Sequence, residues 1–387
     1  MSERTYLDWN ATAPIREQAR IAMSDALSRT GNASSVHADG RAVRRLVEEA
    51  RSHGANLVGA EAKNVIFTSG ATEANMLALT PGLEIGGRKE PRDRLFVSAI
   101  EHPSVRIGGR FAADRVEELP VTSSGVCDLA ALKLALKKAE RPLVSVMLAN
   151  NETGVVQPMN EIAEIVHGEN GVLHVDAAQA PGRIDCDIVA LNADLLSISS
   201  HKLGGPQGAG ALVGRGEIHI VEPLIKGGGQ ERGLRAGTEN VAAIAGFGAA
   251  ATVATAAKAT DGPRMAALRA RLETGIKSVT PAAVIFGADM SRLPNTTLFA
   301  VPGLKAETAI ISFDLNGIAV SSGSACSSGK VQASHVLAAM GVDPALARGA
   351  VRISIGHSTT EAEVDRFLQT WNTLAGSLLK ERRGIAA

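Results

Sequence analysis

Three segments of the sequence carry residue types that could do chemistry at the edge of a sheet. Ser199-Ser200-His201-Lys202-Leu203-Gly204-Gly205-Pro206 sets a lysine between an apolar run and a Gly/Pro-rich loop. That spacing places Lys202 at the C-terminal end of a strand, where α/β sheets bind ligands. A partly desolvated lysine held there suits Schiff-base formation; a solvated surface lysine is the plainer alternative. His174-Val175-Asp176-Ala177-Ala178-Gln179 closes another apolar run with an acid. A carboxylate buried at a strand end is costly unless it meets a cation, such as a protonated pyridine nitrogen; otherwise it caps the next helix. Phe67-Thr68-Ser69-Gly70-Ala71-Thr72-Glu73-Ala74-Asn75 reads as strand, Gly turn and helix start. Free amides, hydroxyls and the helix dipole there make a phosphate cradle, or a simple cap.

Two further segments complete the set. Ser321-Ser322-Gly323-Ser324-Ala325-Cys326-Ser327-Ser328-Gly329 embeds a cysteine in small polar residues, the setting of an accessible thiol. Cys127 lies beside Asp128, and Cys186 lies between Asp185 and Asp187. Negative neighbours raise a thiol pKa, so Cys326 is the candidate nucleophile and the other two are expected to be inert. In Ala350-Val351-Arg352-Ile353-Ser354-Ile355, alternation puts Arg352 and Ser354 on the face opposite the aliphatic residues. Arg352 is then either an exposed cation or a bidentate clamp for a substrate carboxylate.

The composition narrows the field. The chain has 387 residues, with 40 Lys plus Arg against 40 Asp plus Glu, so it lacks the basic surplus of a nucleic-acid binder. Only 3% of residues are aromatic, which disfavours stacking on single strands. Three cysteines without C-x-x-C spacing argue against a disulfide framework or a zinc site and suit a reducing cytoplasm. Met1 to Trp9 has no apolar core of a signal peptide. The most membrane-like stretch, Val241 to Ala257, is short and Ala/Gly-rich, so we read it as a buried helix. No P-loop and no G-x-G-x-x-G after a first strand are present.

The elements that must position these residues alternate along the chain. Apolar runs at 65–67, 95–97, 143–148, 172–175, 195–198 and 211–213 are separated by helical patterns. Runs apolar on both faces predict a mainly parallel sheet covered by helices. After about residue 240 an Ala-rich helix is expected to stop at Asp261-Gly262-Pro263, with a second helix from Met265 to Val279. Strands at 297–301, 318–320 and 350–355 follow, with helices between them and a loop at 321–329. Thr360 and Glu363 have capping-box spacing for a terminal helix. Two units are expected: a large one over 15–260, and a smaller α+β one from 1–14 and 261–387 that carries the cysteine loop at 321–333.

Taken in order, T-S-G-A-T-E-A-N, E-H-P-S-V, N-N-E-T-G, H-V-D-A-A-Q, S-S-H-K-L-G-G-P-Q-G, G-G-G-Q-E-R-G-L-R-A-G-T and S-S-G-S-A-C-S-S-G resemble the pyridoxal-phosphate-dependent cysteine desulfurases of the NifS/IscS type. The resemblance runs from Tyr6-Leu7-Asp8-Trp9-Asn10-Ala11-Thr12 to the terminal helix. It implies the aspartate-aminotransferase-like fold (fold type I), with a seven-stranded, mainly parallel sheet. It implies Lys202 as the Schiff-base lysine, Asp176 as partner of the pyridine nitrogen, and Gln179 and Asn151 near the cofactor's phenolic oxygen. His102 would stack on the ring and assist proton transfers. Ala71, Thr72, Ser199 and His201 would hold the phosphate, completed by Thr238 of the other subunit of a homodimer. Arg352, with Asn151, would bind the carboxylate of L-cysteine, and Cys326 would receive the sulfur for an iron–sulfur scaffold or another sulfur carrier. Two departures stand out: Gly329 to Ser334 replaces an acidic, Pro-containing stretch, and Ala33 stands where Pro is common. A lyase or aminotransferase of the same fold, a selenocysteine lyase and a non-catalytic binding subunit are the rival readings.

Overall fold

The computed structural model describes residues 4–87, 89–323 and 334–378. Cys326 and the rest of 324–333 lie outside the described residues. The six apolar runs form strands and a seventh strand, Val116–Leu119, which no apolar run announced, joins them: β1 (Val65–Thr68), β2 (Arg94–Ser98), β3 (Val116–Leu119), β4 (Pro142–Met147), β5 (Val172–Asp176), β6 (Leu195–Ser199) and β7 (Gly210–Gly214). They make one sheet in the order β1-β7-β6-β5-β4-β2-β3. β7 runs antiparallel to both neighbours, and the other pairs are parallel. Every residue of β1 and of β4 to β7 is buried, as runs apolar on both faces require.

This topology decides where chemistry gathers. Thr68, Met147, Asp176 and Ser199 each end a strand at the same edge, and the parallel register sets Asp176 beside Met147 and Ser197. Because β7 is antiparallel, it begins at that edge, and Gly210 passes against the turn after β1. A Cβ on Gly210 would lie 2.6 Å from Gly70 Cα, so only glycine lets these two backbones approach.

A second, antiparallel sheet has the order β8 (Val284–Ile285), β9 (Thr296–Ala300), β11 (Val351–Ser354), β10 (Ser321–Ser322). Ser321 and Ser322, expected in a loop, instead pair with Arg352 and Val351. Their small side chains fit a short edge strand, and the ladder supplies the hydrogen bonds that an open loop would leave to water. Phe299, Val351 and Ile353 join Leu7, Phe313, Phe367 and Trp371 in a core separate from that of the large sheet.

The helices that matter below are α1 (Ala38–Leu57), α2 (Ala71–Ala78), α3 (Pro103–Arg106), α4 (Val241–Val279) and α5 (Glu361–Leu378). The expected break at Asp261-Gly262-Pro263 is absent: α4 continues through Pro263 for 39 residues. A proline inside a helix costs about 3 kcal/mol. Against that, Ile244 and Phe247 pack into the large core while Met265, Leu268, Leu272 and Ile276 pack into the second. Each large side chain so buried contributes roughly 1.5–3 kcal/mol, and a continuous helix keeps both sets in register. α4 is also long and apolar enough to span a membrane, but these apolar side chains are inside protein. The terminal cap forms as its spacing predicts: Thr360 N donates to Glu363 Oε2 (2.8 Å), and Glu363 N donates to Thr360 Oγ1 (3.3 Å).

Candidate active site

A cavity of about 460 Å³ opens at the shared strand edge. Lys202 enters it from the single turn Ser200–Lys202 that follows β6. Its Nζ donates to the carbonyls of Asn10 (2.5 Å) and Ala11 (2.8 Å), so the N-terminal segment holds the amine in place. Lys202 is therefore on a rigid element, as the Schiff-base reading requires. Asp176 reaches the cavity from the end of β5 and is 6% exposed. Its Oδ1 accepts from Ala178 N (2.9 Å) and its Oδ2 from Asn75 Nδ2 (2.9 Å). Those donors satisfy the carboxylate without a cation, and the cavity-facing side remains for a positive ring nitrogen.

Residues expected to hold the phosphate meet at the same cavity. Ala71 and Thr72 line the cavity in the first turn of α2, where backbone amides have no helical partner. Ser199 and His201 line the same region. The His201 pKa is pushed down to about 4, by burial first and then by Lys202 and Arg183. Thr238 is exposed and does not line this cavity, so one chain alone does not bring it to the site.

Gln179, Asn151 and His102 also line the cavity. Gln179 Nε2 donates to Asn10 O (3.1 Å), and its Oε1 accepts from Arg183. His102 caps α3, and burial, opposed by Asp176 and helped by Lys202, lowers its pKa. Arg352 is buried, not exposed: 1% of it is accessible. Its Nη2 donates to Asp8 Oδ1 (2.7 Å) and its Nη1 to Asn151 O (3.1 Å). Arg352 Nε is buried without a partner among the described residues, and the guanidinium borders the cavity.

Other residues of the site escaped sequence reasoning. Asn10 accepts from both Lys202 and Gln179 through one carbonyl. Arg183 is buried, and its pKa falls to about 9, by burial first and then by Arg352. It donates to Asn10 Oδ1 (3.0 Å) and Lys202 O (3.2 Å), tying the N-terminal segment to the lysine turn. Its place four residues after Gln179 was the only signal, and a lone arginine on a loop says little.

Cys127 and Cys186 are buried, with thiol pKa values pushed up to about 12. Burial is the first cause in both. The flanking carboxylates named from the sequence are secondary, so their expected inertness holds for a different leading reason. Cys326 itself lies outside the described residues.

Burial also governs Glu101, whose carboxyl is fully enclosed and whose pKa rises to about 8. Oε1 accepts from Ser98 Oγ (2.7 Å) and Met147 N (2.7 Å), while Oε2 has no partner among the described residues. A folded-state pKa raised above the unfolded value means stability is present at low pH and is lost as pH climbs from about 4.5 through about 8. The loss approaches roughly 5 kcal/mol. Glu101→Gln is expected to remove that dependence, so the variant's Tm should gain on the wild type between about pH 5.5 and pH 9. A difference that stays constant over this range would show that Glu101 does not titrate there.

The cavity's groups fit pyridoxal 5'-phosphate: a carboxylate for the ring nitrogen, a lysine, an imidazole, and helix-start amides for the phosphate. Comparison with known proteins points the same way. Residues 5–367 match the family model described as aminotransferase class-V. A cysteine desulfurase of Cereibacter sphaeroides is 41% identical over 95% of this chain and 94% of that protein. An IscS-like cysteine desulfurase of Mycobacterium tuberculosis is 40% identical over 99% of this chain and 98% of that protein. Among solved structures, a NifS-like protein from Rickettsia africae superposes with a TM-score of 0.87 at 34% identity, covering 97% of this chain and all of the other.

Proposed function

The chain belongs to the class-V aminotransferase family, and from that premise we propose that it is a pyridoxal-phosphate-dependent cysteine desulfurase that turns L-cysteine into L-alanine and carries the sulfur away as a persulfide on Cys326. The observation that carries this reading is the meeting of Lys202, Asp176, His102 and the α2 amides in one cavity. Bound there, the cofactor supplies an aldehyde for the substrate amine and a ring that takes up the electron pair left at Cα. Lys202 is the base that removes the Cα proton. Asp176 holds the positive charge of the ring nitrogen, and Gln179 and Asn151 address the phenolic oxygen. Ala71, Thr72, Ser199 and His201 hold the phosphate, with Thr238 supplied by the second chain of a homodimer. Arg352 and Asn151 fix the substrate carboxylate. The Cys326 thiolate attacks the substrate sulfur: an S–S bond forms, the C–S bond breaks, and its electron pair stays on carbon, which takes a proton to become the alanine methyl. The persulfide then passes to an iron–sulfur cluster scaffold or another sulfur carrier in the cytoplasm. On this reading residues 15–260 form the cofactor-binding unit, and 1–14 with 261–387 the smaller one.

Incubation with L-cysteine and a thiol reductant should yield alanine and sulfide in equal amounts. Pyruvate with ammonia instead of alanine would favour a lyase and overturn the proposal. Arg352→Lys tests the clamp. It keeps the charge and loses the planar fork, so KM for cysteine should rise about tenfold with kcat less affected. An unchanged KM with a lowered kcat would place Arg352 elsewhere in the reaction.

A further inference from the structure

Two motif residues have no role in the reading above, yet both sit inside the site. Asn75, the last residue of T-S-G-A-T-E-A-N, is fully buried, and Ser104, from E-H-P-S-V, is 8% exposed. Asn75 Nδ2 lies 2.9 Å from Asp176 Oδ2 and 2.9 Å from Ser104 Oγ. Ser104 Oγ in turn lies 2.8 Å from His102 Nδ1, and the Ser104 backbone N–H donates to that same nitrogen (3.2 Å). A continuous chain of hydrogen bonds therefore joins the Asp176 carboxylate to the His102 imidazole.

Its direction follows from what each group can do. An ionised carboxylate only accepts, so the amide nitrogen of Asn75 must face Asp176; turning the amide over would set oxygen against oxygen. The two Nδ2 hydrogens serve the two neighbours, one each. Ser104 Oγ then accepts from Asn75 and has its own proton to give to His102 Nδ1. That nitrogen faces two donors, the hydroxyl and the backbone amide, so it presents its lone pair. In the neutral ring the proton must then sit on Nε2.

We propose that Asn75 and Ser104 form a relay that links Asp176 to His102 and locks His102 as the Nε2–H tautomer, so that His102 meets the cavity as a proton donor. Both are positioning residues: Asn75 does not line the cavity, and Ser104, which does, is proposed to act through His102. Their functional weight rests on the proposed desulfurase reading, in which His102 assists proton transfers, while the tautomer itself is a property of the folded chain. The reverse tautomer would present a lone pair to the cavity and turn a donor into an acceptor.

The test is nitrogen NMR of protein carrying 15N-histidine, with and without the cofactor, the His102 signals being assigned by comparison with His102→Gln. The wild type is expected to show an unprotonated Nδ1 and a protonated Nε2 near neutral pH. Ser104→Ala leaves only the longer backbone N–H bond on Nδ1 (3.2 Å), so it should weaken the lock, shift His102 partly toward the other tautomer and lower kcat for alanine formation about tenfold, with KM within about twofold. Ser104→Thr, which restores the hydroxyl, should recover both. A protonated Nδ1 in the wild type overturns the proposal, as does a Ser104→Ala protein with the wild-type tautomer and kcat. If the wild type makes no alanine, the desulfurase reading fails while the tautomer remains measurable. If alanine forms and Nδ1 carries the proton, only the relay fails.

Discussion

Lys202→Ala is expected to abolish alanine formation from L-cysteine, by at least about four orders of magnitude. On the proposed reading two contributions vanish together: the amine that bonds to the cofactor and the base that takes the Cα proton, the second alone worth about 10²–10⁴-fold. Among the described residues, the other strong cation lining the cavity, Arg352, cannot substitute: it is buried with Asp8 and the Asn151 carbonyl on its fork, and a guanidinium stays protonated. The variant should also fail to develop the yellow absorbance of the cofactor bound to lysine. Because Nζ is held by the carbonyls of Asn10 and Ala11, its loss frees two acceptors beside the cavity rather than a core contact, so the fold should survive. Circular dichroism like that of the wild type, together with turnover above about one percent, would show that another residue is the base.

Cys326→Ala should separate the two halves of the reaction. Lys202, Asp176, Gln179 and the phosphate cradle are untouched, so the variant should remain yellow and still change its absorbance when cysteine binds. Release of sulfur should fall at least about 10²-fold, because the chain's other two thiols are ill-suited to attack. Cys127 and Cys186 are enclosed, with pKa values near 12, so near neutral pH on the order of one molecule in 10⁴ or fewer carries either as thiolate. Mass spectrometry after a cysteine pulse should find the added sulfur atom on the Cys326 peptide. Sulfur on Cys127 or Cys186, or full turnover by the variant, would leave a lyase as the better account.

The sequence carried the parts that depend on local pattern. Uninterrupted apolar runs announced the buried strands, because a strand covered on both faces has no polar positions to spare. Lys202, Asp176 and the Ser69–Thr72 turn announced themselves because chemistry at a sheet edge must sit just after such runs. Their order, with the Ser/Gly-rich stretch around Cys326, was enough to suggest the family and its cofactor.

Tertiary structure decided the rest, for reasons no window of sequence contains. Pro263 spells the end of a helix locally, yet α4 runs through it because its two halves are anchored in different cores. Alternation left Arg352 either exposed or functional; pairing of β11 between β9 and β10, with Asp8 brought from the far end of the chain, buries it. The burial that silences Cys127 and Cys186 is likewise a sum over distant neighbours. Arg183, Asn10, Asn75 and Ser104 are ordinary residues in one dimension. The bond of Ser104 to His102 is local, but those of Asn10 to Gln179, Arg183 to Lys202 and Asn75 to Asp176 join separate elements, and only the closing of the sheet edge brings those atoms within about 3 Å.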